Sequence, residues 1–201
     1  MERYELPQGW RWKRLPELAD LKNGGTPSKA NPEYWKNGNI PFVTAADCTE
    51  LFVFQGRSYL TEEGLLSGKT VVCEPGDVLI GTRTRVGNCS IAKVRLGASQ
   101  DLTRAKLNAT CIPEYLCLYI RNIASDVAFF SQGTSIQGIT RNFLHNLSIP
   151  VPPVKEQRRI VGRIDELTHR AVELKKLIDD AKADLAAFTP ALLAKAFRGE
   201  L

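Results

Sequence analysis

Between Ile160 and Phe188 the apolar positions recur in steps of four and three without a break: Ile160, Ile164, Leu167, Ala171, Leu174, Ile178, Ala181, Leu185 and Phe188. A 3.5-residue period marks a coiled-coil seam, here about four heptads long. With Ile164, Ala171, Ile178 and Leu185 at the first core position, a, the other five fall at d. The remaining positions are mostly charged, among them Arg163, Glu166, Arg170, Lys175, Asp179 and Asp184; only Val161, Val172 and Leu177 widen the stripe. A helix folded back onto a globular core shows a broader apolar face than this. Such a seam needs a second helix. Glu156 suits the helix's positive N-terminal end, and Pro190, which cannot donate a backbone hydrogen bond, predicts that the helix stops before it. At about 1.5 Å per residue the rod is roughly 50 Å long.

The residues before the rod are numerous enough to bury a core of their own. They read as strand-rich, with short helices between turns. Ile40–Ala45 and Val86–Val94 predict strands, and Val71–Thr82 predicts two strands around Pro75-Gly76. Thr61, followed by Glu62 and Glu63, predicts a capped short helix closing near Gly68, and Pro113 opens a second helix running to Ile123. Leu21–Pro32, with Gly24-Gly25 and two prolines, predicts a loop, as does the Gly-flanked stretch Ser131–Thr140. A last strand runs into a stiff proline hinge, Pro150–Pro153, and the rod begins there. The expected class is α+β: a strand-rich domain over 1–153 and a helical arm over 154–201.

Composition removes several function classes. No apolar run approaches a membrane span, and the start lacks the apolar stretch of a signal peptide, so a cytoplasmic protein with no membrane contact is expected. The five cysteines form no CxxC pair and have only His145 and His169 beside them, which gives no zinc spacing and suits reduced, buried thiols. Gly64–Thr70 imitates a phosphate-binding loop but has three residues, not four, between its glycines. Neither a nucleophile elbow nor a metalloprotease helix is present, and neither is the Asn/Asp-Pro-Pro-aromatic tetrapeptide of amino-methyltransferases. Catalysis and a metal are not expected.

Charge is unevenly placed. From Gly81 to Thr110 stand Arg83, Arg85, Lys93, Arg95, Arg104 and Lys106 against Asp101, whereas Thr44–Ile80 is acidic. Segregation of this kind suits a phosphate-facing surface. The predicted face comprises Lys22 and Lys29 of the Gly-rich loop with Arg83, Thr84, Arg85, Arg104 and Lys106; Lys93 and Arg95 are left to the solvated side of a strand. A zipper regulator with a basic helix is disfavoured, because these cations lie in the strand-rich part.

Several stretches together carry a family likeness: LPQGWRWKRLPELADLKNGGTPS, PGDVLIGTRTRVG, GTSIQGIT, IPVPPVKEQRRIV and the terminal LLAKAFRGEL. This ordered set resembles the specificity subunit of type I restriction–modification systems. The resemblance implies sequence-specific binding of double-stranded DNA without catalysis. It implies methyltransferase subunits as partners, carrying the S-adenosylmethionine, and restriction subunits joined through them. In such subunits two recognition domains are held apart by two antiparallel helices, and each domain reads one half of a split site. The present chain has one domain and one helix and so resembles a half subunit. Within GTSIQGIT, Ser135 and Gln137 could reach bases, although a framework role fits the loop better. Two copies folded antiparallel, with facing residue numbers summing to 352, set Ile164 on Phe188, Leu167 on Leu185, Ala171 on Ala181 and Leu174 on Ile178. Arg170 then reaches Asp184 of the mate, and a homodimer reading an interrupted palindrome is expected. A coiled-coil scaffold or inhibitor that has stopped reading DNA is the alternative.

Overall fold

A computed structural model describes residues 4–83, 85–124 and 141–200, without the side chain of residue 141. The chain divides into two compact units, Met1–Arg158 and Arg159–Leu201. Eleven strands lie among the described residues, all in the first unit. Strands β2 (Ala19–Asn23), β10 (Leu102–Leu107), β7 (Val78–Gly81), β8 (Cys89–Ala92) and β4 (Phe52–Val53) form a sheet in that order. A second sheet runs β5 (Ser58–Leu60), β3 (Ile40–Val43), β9 (Leu96–Ala98) and β6 (Val71–Cys73). β1 (Arg11–Arg14) and β11 (Ser148–Val151) make a separate antiparallel pair.

The two larger sheets share one core, in which Val43, Cys73 and Leu96 meet Leu79, Leu102 and Ala92. β6 and β7 flank Pro75-Gly76, as the sequence predicts, but they enter different sheets, so the turn passes the chain between layers and makes no hairpin. On β8 also packs helix α3 (Pro113–Asn122), which follows helices α1 (Leu15–Leu18) and α2 (Glu62–Leu66) in the chain. The Sγ atoms of Cys89 on β8 and Cys117 on α3 lie 3.1 Å apart in this dry contact. All five thiols are buried and unlinked. Burial pushes Cys48, Cys73 and Cys111 up to about 12, so they stay protonated and inert at neutral pH. Thr61 caps α2 through its Oγ1, which accepts from the Gly64 amide at 3.1 Å.

After α4 (Arg141–Asn146), the long helix α5 runs from Val154 to Phe197, 44 residues, with Pro190 inside it. The expectation that it stops before Pro190 is corrected. Proline removes one hydrogen bond, to the Ala186 carbonyl, at a cost of about 3 kcal/mol, but its fixed φ is helical. The residues that follow, Ala-Leu-Leu-Ala-Lys-Ala, are strong helix formers and carry the helix on to Phe197. At about 1.5 Å per residue, α5 measures roughly 66 Å. Its first turn belongs to the first unit. There Gln157 is fully buried: its Nε2 donates to the carbonyls of Thr110 and Pro152, and its Oε1 accepts from the Ile112 amide, each at 2.8 Å. Beyond Val161 every described residue of α5 is exposed, the seam from Ile164 to Phe188 included.

Candidate nucleic-acid interface

The ladder registers decide which loops share an end of the five-stranded sheet. Leu102 of β10 is opposite Gly81 of β7, and Thr103 is opposite Asn23 of β2. The β7–β8 loop, the loop leaving β2 and the β9–β10 turn therefore emerge together. Arg83 and Arg85 ride on the first of these, both exposed, and Lys29 stands exposed on the second.

The β7–β8 loop is held tightly at its base. The Gly81 amide donates to the Asn88 carbonyl at 2.7 Å, the Asn88 amide to the Arg85 carbonyl at 3.1 Å, and the Thr82 amide to the Asp101 carbonyl at 2.8 Å. Arg85 sits in the left-handed region at φ 48°, an uncommon conformation for a bulky residue. Gly87, at φ 86°, lies where a Cβ would collide with Ala124 beyond the end of α3. These bonds fix the base of the loop that carries Arg83 and Arg85.

The nearby carboxylates are turned inward. Asp47 accepts from the Thr44 amide and hydroxyl at 2.8 and 2.7 Å and pairs with Arg57 at 3.2 Å. Asp101 accepts from the Ala45 amide at 3.1 Å and from the Ser99 hydroxyl. Among the described residues neither Arg83 nor Arg85 has an ion-pair partner. Asp47 and Asp101 are thus taken up by turns, and Arg83 and Arg85 are left facing water.

The other predicted cations are distributed differently. Lys22 lies within β2, not in the loop where the sequence reading put it, and faces Arg104 across the ladder. Arg104 is only 9% exposed: its guanidinium donates to Asp20 at 2.7 Å and to the Val72 carbonyl of the other sheet at 3.5 Å. It ties the two sheets together, and a residue so engaged is a poor phosphate ligand. Lys106 is exposed at the far end of β10, opposite Asp20 and away from the loop cluster. Thr84, Ser135 and Gln137 lie outside the described residues. Arg95 is held bidentately by Glu62, at 2.8 Å to each oxygen, and the Lys93 Nζ sits 4.1 Å from the Phe52 ring centroid.

Sequence reasoning passed over Lys69. The Gly25 amide donates to the Ala98 carbonyl at 3.0 Å, and a Cβ on Gly25 would collide with the Lys69 carbonyl, so the two stretches lie in contact. Lys69 is exposed and, through Ala98, belongs to the same end of the sheets as Arg83 and Arg85. The turn around Gly68 marked it as a surface residue, but only pairing across distant strands puts it with the others.

The described residues thus make a strand-rich unit with exposed cations at one loop end, followed by one very long helix whose apolar seam is bare. Similarity to known proteins makes this specific. Residues 7–181 match the family described as the type I restriction modification DNA specificity domain, and the chain belongs to that family. It is similar to the specificity subunit of the type I restriction enzyme EcoR124I/EcoR124II from Escherichia coli, 31% identical over 171 residues, covering 81% of this chain and 42% of that one. The EcoKI specificity subunit of Escherichia coli K12 is 33% identical over 139 residues, 64% of this chain and 30% of that one. The crystal structure of the HsdS subunit from Thermoanaerobacter tengcongensis superposes with a TM-score of 0.72 at 30% identity, covering 98% of this chain and 47% of that one. The chain spans half or less of the length of these relatives. Among the described residues no helix is long and apolar enough to cross a membrane.

Proposed function

We propose that this chain reads one half of a split double-stranded DNA site for a type I restriction–modification enzyme and performs no chemistry itself. The observation that carries this reading is the convergence of Arg83, Arg85 and the loop of Lys29 at one end of the five-stranded sheet. Exposed cations on loops can hold phosphates and bring neighbouring polar groups to base edges. Lys22 and Lys69 extend the surface; Arg104 is withdrawn from it and Lys106 is peripheral. Methyltransferase subunits dock on the chain and bring S-adenosylmethionine, and restriction subunits join through them. The bare seam from Ile160 to Phe188 supports a second copy, paired antiparallel, so that two units read a site with two-fold symmetry. The arm, residues 154–201, is then both spacer and clasp.

The test is a gel shift at two salt concentrations. The probe is a duplex carrying the motif that methylome sequencing finds in a host expressing the chain with its methyltransferase. Replacing Arg83 and Arg85 by alanine is expected to weaken binding and to lower the slope of log K against log salt by about 0.9 for each phosphate no longer neutralised. Lys106→Ala, at the far end of β10, serves as the control. Unchanged affinity of the double variant at both salts would remove this surface, and a scaffold without DNA reading would then be the better account.

A further inference from the structure

Because α5 runs through Pro190, the seam does not end at Phe188. Leu192 is helical, 41% exposed, and occupies the next a position. Antiparallel pairing with facing numbers summing to 352 puts Leu192 of one copy on Ile160 of the other, the seam residue that a helix stopping before Pro190 would leave without a mate. Resting on the two-copy reading above, we propose that the second copy is held in this register alone, with Leu192 closing each end of the seam and Leu177 meeting itself on the two-fold axis.

Three observations lead there. Pro190 falls at f, the heptad position farthest from the mate, so its ring and the unpaired Ala186 carbonyl point to water and leave the seam undisturbed. Leu177, 64% exposed, is apolar at a g position that is otherwise arginine, aspartate or alanine. In this register g faces g across the axis, so Leu177 covers Leu177 and Arg170 lies by Asp184. In the single chain Arg170 pairs with Glu166 at 2.6 Å, an exposed bond weak enough to be shared. The register has a cost on the other edge, where Lys175 faces its own copy, but long exposed lysines can splay into water. A slip of one heptad is worse. It sets Ala171 against Phe188 or Leu174, alternately crowding and emptying the seam. It also sets Ile164 on Lys195, or Phe188 on Gln157, whose amide is already buried and fully bonded.

Parity makes the register testable. A one-heptad slip turns the sum odd, and no g residue then faces itself. Leu177→Cys in the full chain is therefore expected to give a reductant-sensitive covalent dimer on mild copper-catalysed oxidation. Wild type stays silent because its thiols are buried. Thr168→Cys also stays silent, since its two copies lie fourteen helical residues, about 21 Å, apart. Leu192→Ala is expected to raise the dimer Kd at least tenfold, whereas Leu193→Ala, on the next residue but off the seam, leaves it unchanged. A dimer by light scattering that fails to cross-link through Leu177→Cys, or that ignores Leu192→Ala, would overturn the register and leave the two-copy reading standing. A wild-type monomer at micromolar concentration would overturn the reading on which it rests.

Discussion

The two units of this chain solve opposite problems with similar residues. In Met1–Arg158, Leu79, Leu96 and Leu102 have no exposure, and Cys73 and Cys89 are as dry. In Arg159–Leu201, Leu174 is 59% exposed and Phe188 60%. The apolar side chains are alike; the difference is whether the chain supplies their cover. A strand buries a face against strands far away in sequence, whereas a lone helix with a narrow stripe has nothing within its own length to meet it. Stability in the first unit is therefore a property of one chain, and under the proposed pairing that of the second depends on concentration.

The largest effects should break this contrast from both sides. Leu79→Ala removes side-chain volume from the shared core and is expected to cost about 2–5 kcal/mol in urea unfolding whatever the protein concentration. Leu174→Glu should leave the unfolding of the first unit almost unchanged and abolish the dimer, because its layer beside the two-fold axis is struck twice and each buried carboxylate costs several kcal/mol or becomes protonated. Light scattering and urea unfolding on both variants decide the point. If Leu174→Glu unfolds the first unit, the contrast is false.

Gln157 marks where one regime gives way to the other. Gln157→Ala leaves the Ile112 amide and the Thr110 and Pro152 carbonyls without their partner. A loss of about 1–3 kcal/mol in the first unit is expected, with the helical circular dichroism of the arm retained. Loss of the arm's signal as well would mean that α5 needs its root in order to form.

The contrast has a pH dependence as well. Unfolded thiols titrate near 9.0, whereas buried Cys48, Cys73 and Cys111 hold their protons up to about 12. Unfolding then releases protons, so this contribution is fully present below pH 9 and is lost as pH rises from 9 towards 12. Each thiol contributes about 1.4 kcal/mol per pH unit within that window. Urea midpoints for the first unit should fall between pH 8 and pH 10, and less steeply in Cys73→Ala. Equal midpoints would show that the thiols are not sealed.

Features carried by neighbouring residues were legible in the sequence. The 3.5-residue repeat stands in nine side chains, the cap in Thr61 and the first turn of α3 in Pro113, because each depends on positions within a few turns of one another. The charge segregation was legible too, but not its meaning. Arg83 and Arg104 look equivalent in a charge count; one stands on a loop and the other is inserted between two sheets toward Val72. Their difference comes from β10 pairing with β2 and β7, partners 80 and 20 or more residues away in the chain.

Sequence alone also misjudged Pro190. A local rule about a missing donor was outweighed by six good helix formers beyond it, and the rule says only what one hydrogen bond costs. By itself the sequence determined a strand-rich unit and a long helix with a narrow apolar stripe, since periodicity and spacing are properties of the covalent chain. Which cations face outward together, which acids are consumed by turns and where Gln157 locks the helix root were decided by tertiary structure, because long-range strand pairing sets those distances.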